Sequence, residues 1–307
     1  MKSIIEEIQF IKKRNKILRQ LEELAEQEGM LRVESDAFEE YTSYVQSNPR
    51  QDANKLVKVA DLQGDVYLLK PDITTNLIKQ VIPRMEQDLG LSLYYLDTVY
   101  AFNDFGSITP TRQFGIEVIG ASQIDEDFRL ISFITRLFDQ YNITYNIELG
   151  NQQWINDVIE QLQASKTIAN LIKKALIDKN KEGIKQYVSN PGYQTLLLTV
   201  IQRQNDIPAY IDIIQQYNLP KTLHTQLLEL HELVNRLDNP NIEVDLSLLN
   251  EFDYYNGIIY RGYVNSYKTN ILRGGRYDSI TQEFGTLTPA LGFSLDVDIF
   301  INEVITK

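Results

Sequence analysis

The spacing of apolar positions changes twice along the chain and divides it into three regions. From Ile4 to Glu28 apolar residues recur every three to four positions, which predicts a helix that ends near Gly29. Strand-like runs follow. They predict strands at Val66–Leu69, Leu93–Leu96, Val99–Phe102 and Phe114–Ile119, with a helix over residues 74–89 that is interrupted near Pro83.

Helical spacing dominates the middle region, from Trp154 to Leu237, where glycine is scarce. Strand character returns after Pro240. We expect short antiparallel strands at Ile258–Tyr260, Tyr263–Val264 and Ile271–Leu272. The pattern predicts an α+β fold with a mostly antiparallel sheet flanked by helices. Residues 1–149 form the first part of its core, residues 150–240 a helical insertion, and residues 241–307 the last part.

Composition and charge narrow the function classes. The formal net charge of −12 over 307 residues opposes binding to a polyanion, so we expect no nucleic-acid partner. The chain has no cysteine, and its two histidines, His224 and His231, lie in a leucine-rich helical pattern, so no metal site is predicted. No run approaches the roughly 20 apolar residues of a membrane span, and no signal-peptide pattern is present. We therefore expect a cytoplasmic protein without a membrane partner.

The first candidate site is the run from Gln113 to Gly120. Strand alternation puts Gln113, Gly115 and Glu117 on one face, which gives an amide and a carboxylate with no side chain between them. A buried carboxylate is costly unless it is paired, so a cationic ligand group would suit this face. An edge strand with a solvated polar face explains the same alternation.

Two further clusters lie near the C-terminus. In Asp253-Tyr254-Tyr255-Asn256-Gly257, the Asn-Gly pair is typical of a hairpin turn, and the tyrosines need no further role. In Arg273-Gly274-Gly275-Arg276-Tyr277-Asp278, the two glycines allow the backbone to run close to a ligand or a neighbouring strand. This second cluster alone is a weak signal, since it matches neither a P-loop nor a dinucleotide fingerprint.

Taken in order, the clusters resemble the catalytic core of histidyl-tRNA synthetases, which have the class II aminoacyl-tRNA synthetase fold. The resemblance rests on five segments: residues 29–35 for the first, dimer-forming motif, Lys70-Pro71-Asp72-Ile73-Thr74, residues 113–120, residues 253–257, and residues 274–278 with the Gly292-Phe293 strand. In that family, the positions that match Asp72, Thr74, Gln113, Glu117, Tyr255 and Tyr277 hold histidine. The resemblance therefore implies a histidine pocket made of these six residues.

The chain departs from the synthetase pattern where the chemistry needs positive charge. Three arginines that assist the activation of histidine by ATP fall at Ala101, Asn250 and Ile299. Losing one preorganised donor typically costs about 2.7–4 kcal/mol of barrier, so the loss of three implies no catalytic residues and no adenylate formation. We also expect neither a cofactor nor an anticodon-binding domain.

A synthetase-like core without these arginines resembles the regulatory subunit of ATP phosphoribosyltransferase, which serves the first step of histidine biosynthesis. The resemblance implies a non-catalytic subunit that dimerises and joins the short form of the catalytic subunit in a hetero-octamer. Histidine would then act as the feedback ligand, bound in this pocket or at a subunit interface. The alternatives are a truncated synthetase-like enzyme that activates an amino acid and a tRNA-sensing module.

Overall fold

A large sheet and a small sheet carry the strands of this protein. The structure is a computed structural model that describes residues 3–48, 51–86, 89–120, 124–202, 205–249 and 255–306. The strands are β1 (Leu31–Arg32), β2 (Phe38–Glu40), β3 (Lys58–Ala60), β4 (Val66–Leu69), β5 (Leu91–Phe102), β6 (Ile108–Ile119), β7 (Tyr145–Asn151), β8 (Ile242–Val244), β9 (Ile258–Val264), β10 (Leu272–Arg276) and β11 (Ala290–Asp296).

Helices precede, interrupt and follow these strands. They are α1 (Ile4–Gln27), α2 (Tyr41–Ser47), α3 (Thr74–Val81), α4 (Ile124–Gln140), α5 (Gln152–Gln161), α6 (Lys166–Ile177), α7 (Lys181–Tyr187), α8 (Pro191–Gln202), α9 (Ile207–Gln216), α10 (Lys221–Leu237), α11 (Asp278–Glu283) and α12 (Val297–Thr306). Within the described ranges, no helix is both long enough and apolar enough to cross a membrane.

The large sheet has eight strands in the order β1-β5-β6-β11-β10-β9-β7-β8, and β2, β4 and β3 form a separate three-stranded sheet. The β1–β5 and β7–β8 pairs are parallel, whereas the other neighbours in the large sheet are antiparallel. The predicted mixed fold with a mostly antiparallel sheet is therefore confirmed.

The first helix follows from its local sequence. The Ser3 hydroxyl accepts a hydrogen bond from the Glu6 amide at 3.2 Å, and the Glu6 carboxylate accepts one from the Ser3 amide at 2.7 Å. This reciprocal pair satisfies amides that a helix start leaves unpaired. Gly29 follows the helix with a φ of +77°, a conformation that glycine adopts without a steric penalty.

One face of the large sheet packs into the main hydrophobic core. Phe114 of β6 lies 6.3 Å from Phe293 of β11 and 6.4 Å from Phe133 of α4, measured between ring centroids. Helices α1 and α12 supply Leu21 and Phe300 to the same core. The opposite face carries the alternate residues of β5, β6 and β11, and α3 and α11 cover one end of it with Ile78 and Ile280.

Helices α5 to α10 lie between β7 and β8 in the chain. Trp154 of α5 is fully buried, and its indole Nε1 donates a hydrogen bond to the Leu223 carbonyl at 3.0 Å. The apolar residues of the predicted helical stripe at Trp154, Ile155, Val158 and Ile159 are all buried. Both histidines lie on α10.

Several predicted boundaries were wrong. The predicted strands at Leu93–Leu96 and Val99–Phe102 are parts of the single strand β5, because Asp97 between them extends toward Lys70 without breaking the ladder. Likewise β9 runs through Gly262, which lies against the side chain of Leu272 and not in a turn. The predicted interruption near Pro83 is present: helix α3 ends at Val81, and a short 3-10 turn follows over Ile82–Arg84.

Candidate functional site

A cavity of about 600 Å³ opens on the face of the large sheet that lies opposite the main core. Strands β5, β6, β10 and β11 supply its floor, and the segments before α3 and β9 supply its walls. All six residues of the predicted pocket line this one cavity. They are Asp72, Thr74, Gln113, Glu117, Tyr255 and Tyr277.

Two glycines leave the space that the floor of the cavity needs. A Cβ atom on Gly292 would lie 1.9 Å from Oε2 of Glu117, and one on Gly115 would lie 2.2 Å from the ring of Tyr95. Both distances are far below van der Waals contact, so any larger residue would displace the polar side chain beside it. The Gln-Phe-Gly-Ile-Glu run thus shapes the floor as well as supplying its polar groups.

Glu117 is the centre of the polar network. The residue is only 1 % exposed. Thr74 Oγ1 donates a hydrogen bond to Glu117 Oε1 at 2.6 Å, and the Tyr277 hydroxyl donates one to Oε2. Burial raises the pKa of Glu117 from its ordinary 4.5 to about 8, although these two hydrogen bonds oppose the rise. The solvated-edge interpretation of this strand is wrong, since β6 lies inside the sheet between β5 and β11.

A second carboxylate lies near Glu117. Asp72 precedes α3 and accepts a hydrogen bond from the Thr75 amide at 2.8 Å. Burial raises its pKa, and the proximity of Asp72 in turn raises the pKa of Glu117. A fully buried carboxyl group and a partly buried one at the same site favour a positively charged ligand group.

Lys70 holds the segment that carries Asp72. Its Nζ donates to the Ser35 hydroxyl at 2.9 Å and forms an ion pair with Asp97 of β5. The Lys70 side chain is buried, so its charge requires these partners. The ion pair ties the end of β4 to the large sheet and orients the chain just before the cavity wall.

The tyrosines enclose the same end of the cavity. The rings of Tyr255 and Tyr277 meet edge to face, with centroids 6.5 Å apart and an interplanar angle of 78°. Burial raises the pKa of Tyr277 well above its ordinary value, so its hydroxyl stays protonated and can donate to Glu117. The hairpin predicted at Asn256-Gly257 depends on residues before Tyr255 that lie outside the described residues. The Asn256 side chain accepts a hydrogen bond from the Asp278 amide at 2.9 Å.

Two of the three positions without an arginine also line the cavity. Ala101 of β5 and Ile299 of α12 contribute aliphatic groups to the end beyond Gln113. Asn250, the third position, lies outside the described residues. Neither of the two described positions offers a donor to a polyphosphate.

Further lining residues were not singled out from the sequence. Tyr95, Lys55, Ser294, Asp296 and Arg273 line the cavity. The alternation of β5, with Asp97 and Tyr95 on one face, is the signal that identifies Tyr95. Arg273 stands directly before the glycine pair of the quoted motif, but nothing local in the sequence shows that its side chain reaches the cavity.

The charge of the cavity is predominantly negative. The described lining residues include four acidic side chains, Asp52, Asp72, Glu117 and Asp296, against the cations of Lys55 and Arg273. Of the four, Glu117 takes up its negative charge only as the pH approaches about 8. In the described residues, no cluster of three or more acidic or histidine side chains has the geometry of a metal site. The arrangement can bind a small molecule that carries a positive group, and it opposes the triphosphate of ATP.

Comparison with known proteins places these features in context. Residues 8–299 match the family model described as histidyl-tRNA synthetase. A protein from Listeria monocytogenes, named ATP phosphoribosyltransferase regulatory subunit, is 31% identical over 291 residues, which cover 92% of this chain and 73% of that protein.

Two solved structures share the fold. The first, titled as an ATP phosphoribosyltransferase regulatory subunit/histidyl-tRNA synthetase from Bacillus halodurans, has a TM-score of 0.84 at 22% identity and covers 96% of this chain and 79% of that one. The second belongs to the ATP phosphoribosyl transferase (HisG:HisZ) complex from Thermotoga maritima. Its TM-score is 0.68 at 16% identity, with coverage of 91% and 95%.

Proposed function

The chain belongs to the family of ATP phosphoribosyltransferase regulatory subunits, within the wider histidyl-tRNA synthetase family, and we propose that it serves as the non-catalytic regulatory subunit of that enzyme. In this role it supports the short catalytic subunit in the first step of histidine biosynthesis and carries feedback regulation by histidine. The subunit makes and breaks no bonds itself.

The observation that carries this proposal is a difference between the two ends of one cavity. The end around Glu117 keeps a buried, hydrogen-bonded set of polar groups. The other end has Ala101 and Ile299 at positions where the synthetases use arginines. A site that binds an amino acid but cannot neutralise a polyphosphate suits a sensor better than an activating enzyme.

Histidine is the ligand that we propose for the pocket. Asp72 and Glu117 attract its α-ammonium group, and the hydroxyls of Thr74 and Tyr277 already orient Glu117. Gln113 and Tyr255 add neutral groups that can hydrogen-bond the imidazole or the ammonium. The two carboxyl groups favour a cationic ligand group, because they have no cation of their own within ion-pair distance among the described residues. A bound cationic group would lower the raised pKa of Glu117 and so favour its charged form.

Histidine regulates by shifting the equilibrium of the assembly. It can do so only as far as it binds the active and inactive arrangements with different affinity. We propose that the chain dimerises through the region of residues 29–35, joins the catalytic subunit in a hetero-octamer, and resides in the cytoplasm. The structure from Thermotoga maritima, which comes from a two-component complex, supports assembly with a catalytic partner.

The division of the chain in this proposal follows the predicted regions. Residues 1–149 and 241–307 build the synthetase-like core that holds the pocket, and residues 150–240 form the helical insertion. The position of α5 to α10 between β7 and β8 supports this division.

Reconstitution tests the proposed function. The short catalytic subunit is assayed for phosphoribosyl-ATP formation alone, with this chain, and with an equal mass of serum albumin as the control. We expect the activity of the catalytic subunit to rise when this chain is added and to stay unchanged when albumin is added. Activity that does not change on mixing would reject the regulatory role.

Feedback is tested in the same assay. Histidine should inhibit the reconstituted mixture, and inhibition should weaken when the chain carries Glu117→Gln, which keeps the shape of the side chain but removes its charge. Undiminished inhibition with this variant would place the histidine site elsewhere in the assembly.

A further inference from the structure

Arg273 and Lys55 are the two cations among the described residues that line the cavity, and Arg273 is the one that lies on the sheet. It lies on β10, opposite Ser294 of β11 and Arg261 of β9 in the strand register, and its side chain lines the cavity. An exposed arginine on a strand often reaches only solvent. Here it faces the same space as Glu117.

The guanidinium of Arg273 keeps donors available. Its Nε donates to the Asn270 side chain at 2.8 Å. No other acceptor binds it, and no carboxylate lies within 4.0 Å of it, among the residues that the structure describes. An arginine has five N–H donors, so the two terminal nitrogens remain able to bind an anion from the cavity.

The neighbouring charged groups are engaged elsewhere. Asp296, the lining carboxylate nearest along β11, accepts a hydrogen bond from the Ile299 amide at 3.0 Å and so caps α12. Arg261, the cross-strand partner of Arg273, donates to the Leu249 carbonyl. Asp296 and Arg273 attract each other electrostatically, but among the described residues no ion pair within 4.0 Å joins them, so the guanidinium stays available to a ligand.

The position of Arg273 also suits a small zwitterion. Glu117 is opposite Gly292, and Arg273 is opposite Ser294, so the two charges are separated by two strands and two residues along the sheet. Strand spacings of about 4.8 Å and rises of about 3.4 Å per residue put their Cα atoms about 12 Å apart. Both residues lie on the face that carries the cavity, so a ligand seated across β11 can contact both side chains.

From these contacts we propose that Arg273 binds the α-carboxylate of the amino acid whose ammonium group is held by Asp72 and Glu117. The inference rests on the proposed function, because it assumes that the cavity takes an amino acid. It assigns to β10 a specificity role that favours ligands with a free carboxylate over the corresponding amines.

Calorimetric titration with two ligands tests this assignment. One ligand is L-histidine, and the other is histidinol, which has a hydroxymethyl group in place of the carboxylate. Both are titrated into the full wild-type chain, into Arg273→Gln, and into Arg136→Gln as the control. Arg136 is an exposed arginine of α4 that pairs with Glu28 and does not line the cavity.

Arg273→Gln should weaken histidine binding by about tenfold or more, as expected for the loss of a charged hydrogen bond, and should change histidinol binding by less than about twofold. Arg136→Gln should bind both ligands as the wild type does. Equal loss of both ligands, or unchanged histidine binding by Arg273→Gln, would overturn the assignment of Arg273 while leaving the proposed pocket in place.

Failure of the pocket itself gives a different result. If the wild-type chain binds neither histidine nor histidinol, the proposed ligand is wrong and the assignment of Arg273 is wrong with it. As a further variant, Arg273→Lys should give intermediate affinity for histidine, since lysine keeps the charge but loses the planar, bidentate geometry.

Discussion

Tyr277 donates a hydrogen bond from its hydroxyl to the Glu117 carboxylate, although the two residues lie 160 positions apart in the chain. This contact joins the segment after β10 to β6 and holds the Glu117 side chain in the wall of the cavity. Thr74 binds the other carboxylate oxygen at 2.6 Å. Three separate parts of the chain therefore meet at one acidic group.

Protonation of Glu117 should make stability depend on pH. Burial raises its pKa from 4.5 to about 8, so between these values the folded state holds more protons than the unfolded state. The free energy of unfolding should therefore fall as pH rises through this window and level off above about pH 8. Thermal melts from pH 5 to pH 9 check this for the wild type and for Glu117→Gln.

The difference between the two curves isolates this one group. Glu117→Gln should remove its part of the slope, so the variant should gain stability relative to the wild type as pH increases. Burial raises the pKa of Asp127 to about 6, but that residue is present in both proteins and cancels. Parallel melting curves across the range would contradict the prediction.

Gly292→Ala should damage both stability and ligand binding. The added Cβ would lie 1.9 Å from the Glu117 carboxylate and 2.4 Å from the Ile116 carbonyl, so the strand or the side chain must move. We expect a loss of about 1–3 kcal/mol in the free energy of unfolding, together with weaker histidine binding. Urea denaturation and calorimetric titration measure the two effects.

Gly90→Ala is the matched control for this substitution. A Cβ atom at Gly90 would meet nothing within 4 Å, and its backbone is not in the left-handed region. The control should keep wild-type stability and affinity. Equal behaviour of the two alanine variants would show that the close approach at Gly292 is unimportant.

Two arginines on the same strand should respond in opposite ways. Arg276 forms an ion pair with Asp127, whose side chain is fully buried, so Arg276→Met leaves a buried carboxylate without its cation. We expect a loss of about 3 kcal/mol or more in stability, measured by urea denaturation. Arg273→Met removes an exposed guanidinium with no carboxylate partner among the described residues, and should change stability by less than about 0.5 kcal/mol.

The substitution at position 273, which has little effect on stability, should have a large effect on ligand binding. Arg273→Met should weaken histidine binding despite its normal stability. A large loss of stability in Arg273→Met, or none in Arg276→Met, would contradict these assignments.

The purified chain should not catalyse histidine-dependent exchange of pyrophosphate with ATP. Ala101 and Ile299 line the cavity with aliphatic groups, and each missing donor costs about 2.7–4 kcal/mol of barrier. An active histidyl-tRNA synthetase, assayed in parallel with labelled pyrophosphate, is the positive control. Exchange above background with this chain would favour the truncated enzyme over the regulatory subunit.

Much of the architecture was predictable from local patterns. The helix that starts at Ile4 and the strand at Val66–Leu69 were predicted from periodicity and confirmed, because each depends on neighbouring residues along the chain. The breaks predicted within β5 and β9 were wrong. A polar or glycine residue inside a strand resembles a turn until its cross-strand neighbour is known, as with Asp97 beside Lys70 and Gly262 beside Leu272.

In the candidate site, too, some residues were predictable from local motifs and others were not. The quoted motifs predicted six pocket residues, and the structure brings all six to one cavity, where their role in binding histidine stays a prediction. The sequence did not single out Tyr95 or Arg273. Their positions depend on strand order and register, which are set by contacts between segments that are distant in the chain.

The amino-acid sequence by itself determined which chemical groups this protein has. It retains a set of carboxylates, amides and tyrosines, and it has Ala101, Asn250 and Ile299 at the three positions where the synthetases have arginines. Only the tertiary structure decided how those groups act on one another. Packing of β6 between β5 and β11 excludes water from Glu117, which raises its pKa, and the register of β10 turns Arg273 toward the same cavity. Burial and register arise from contacts across the sheet, and no local sequence pattern specifies them.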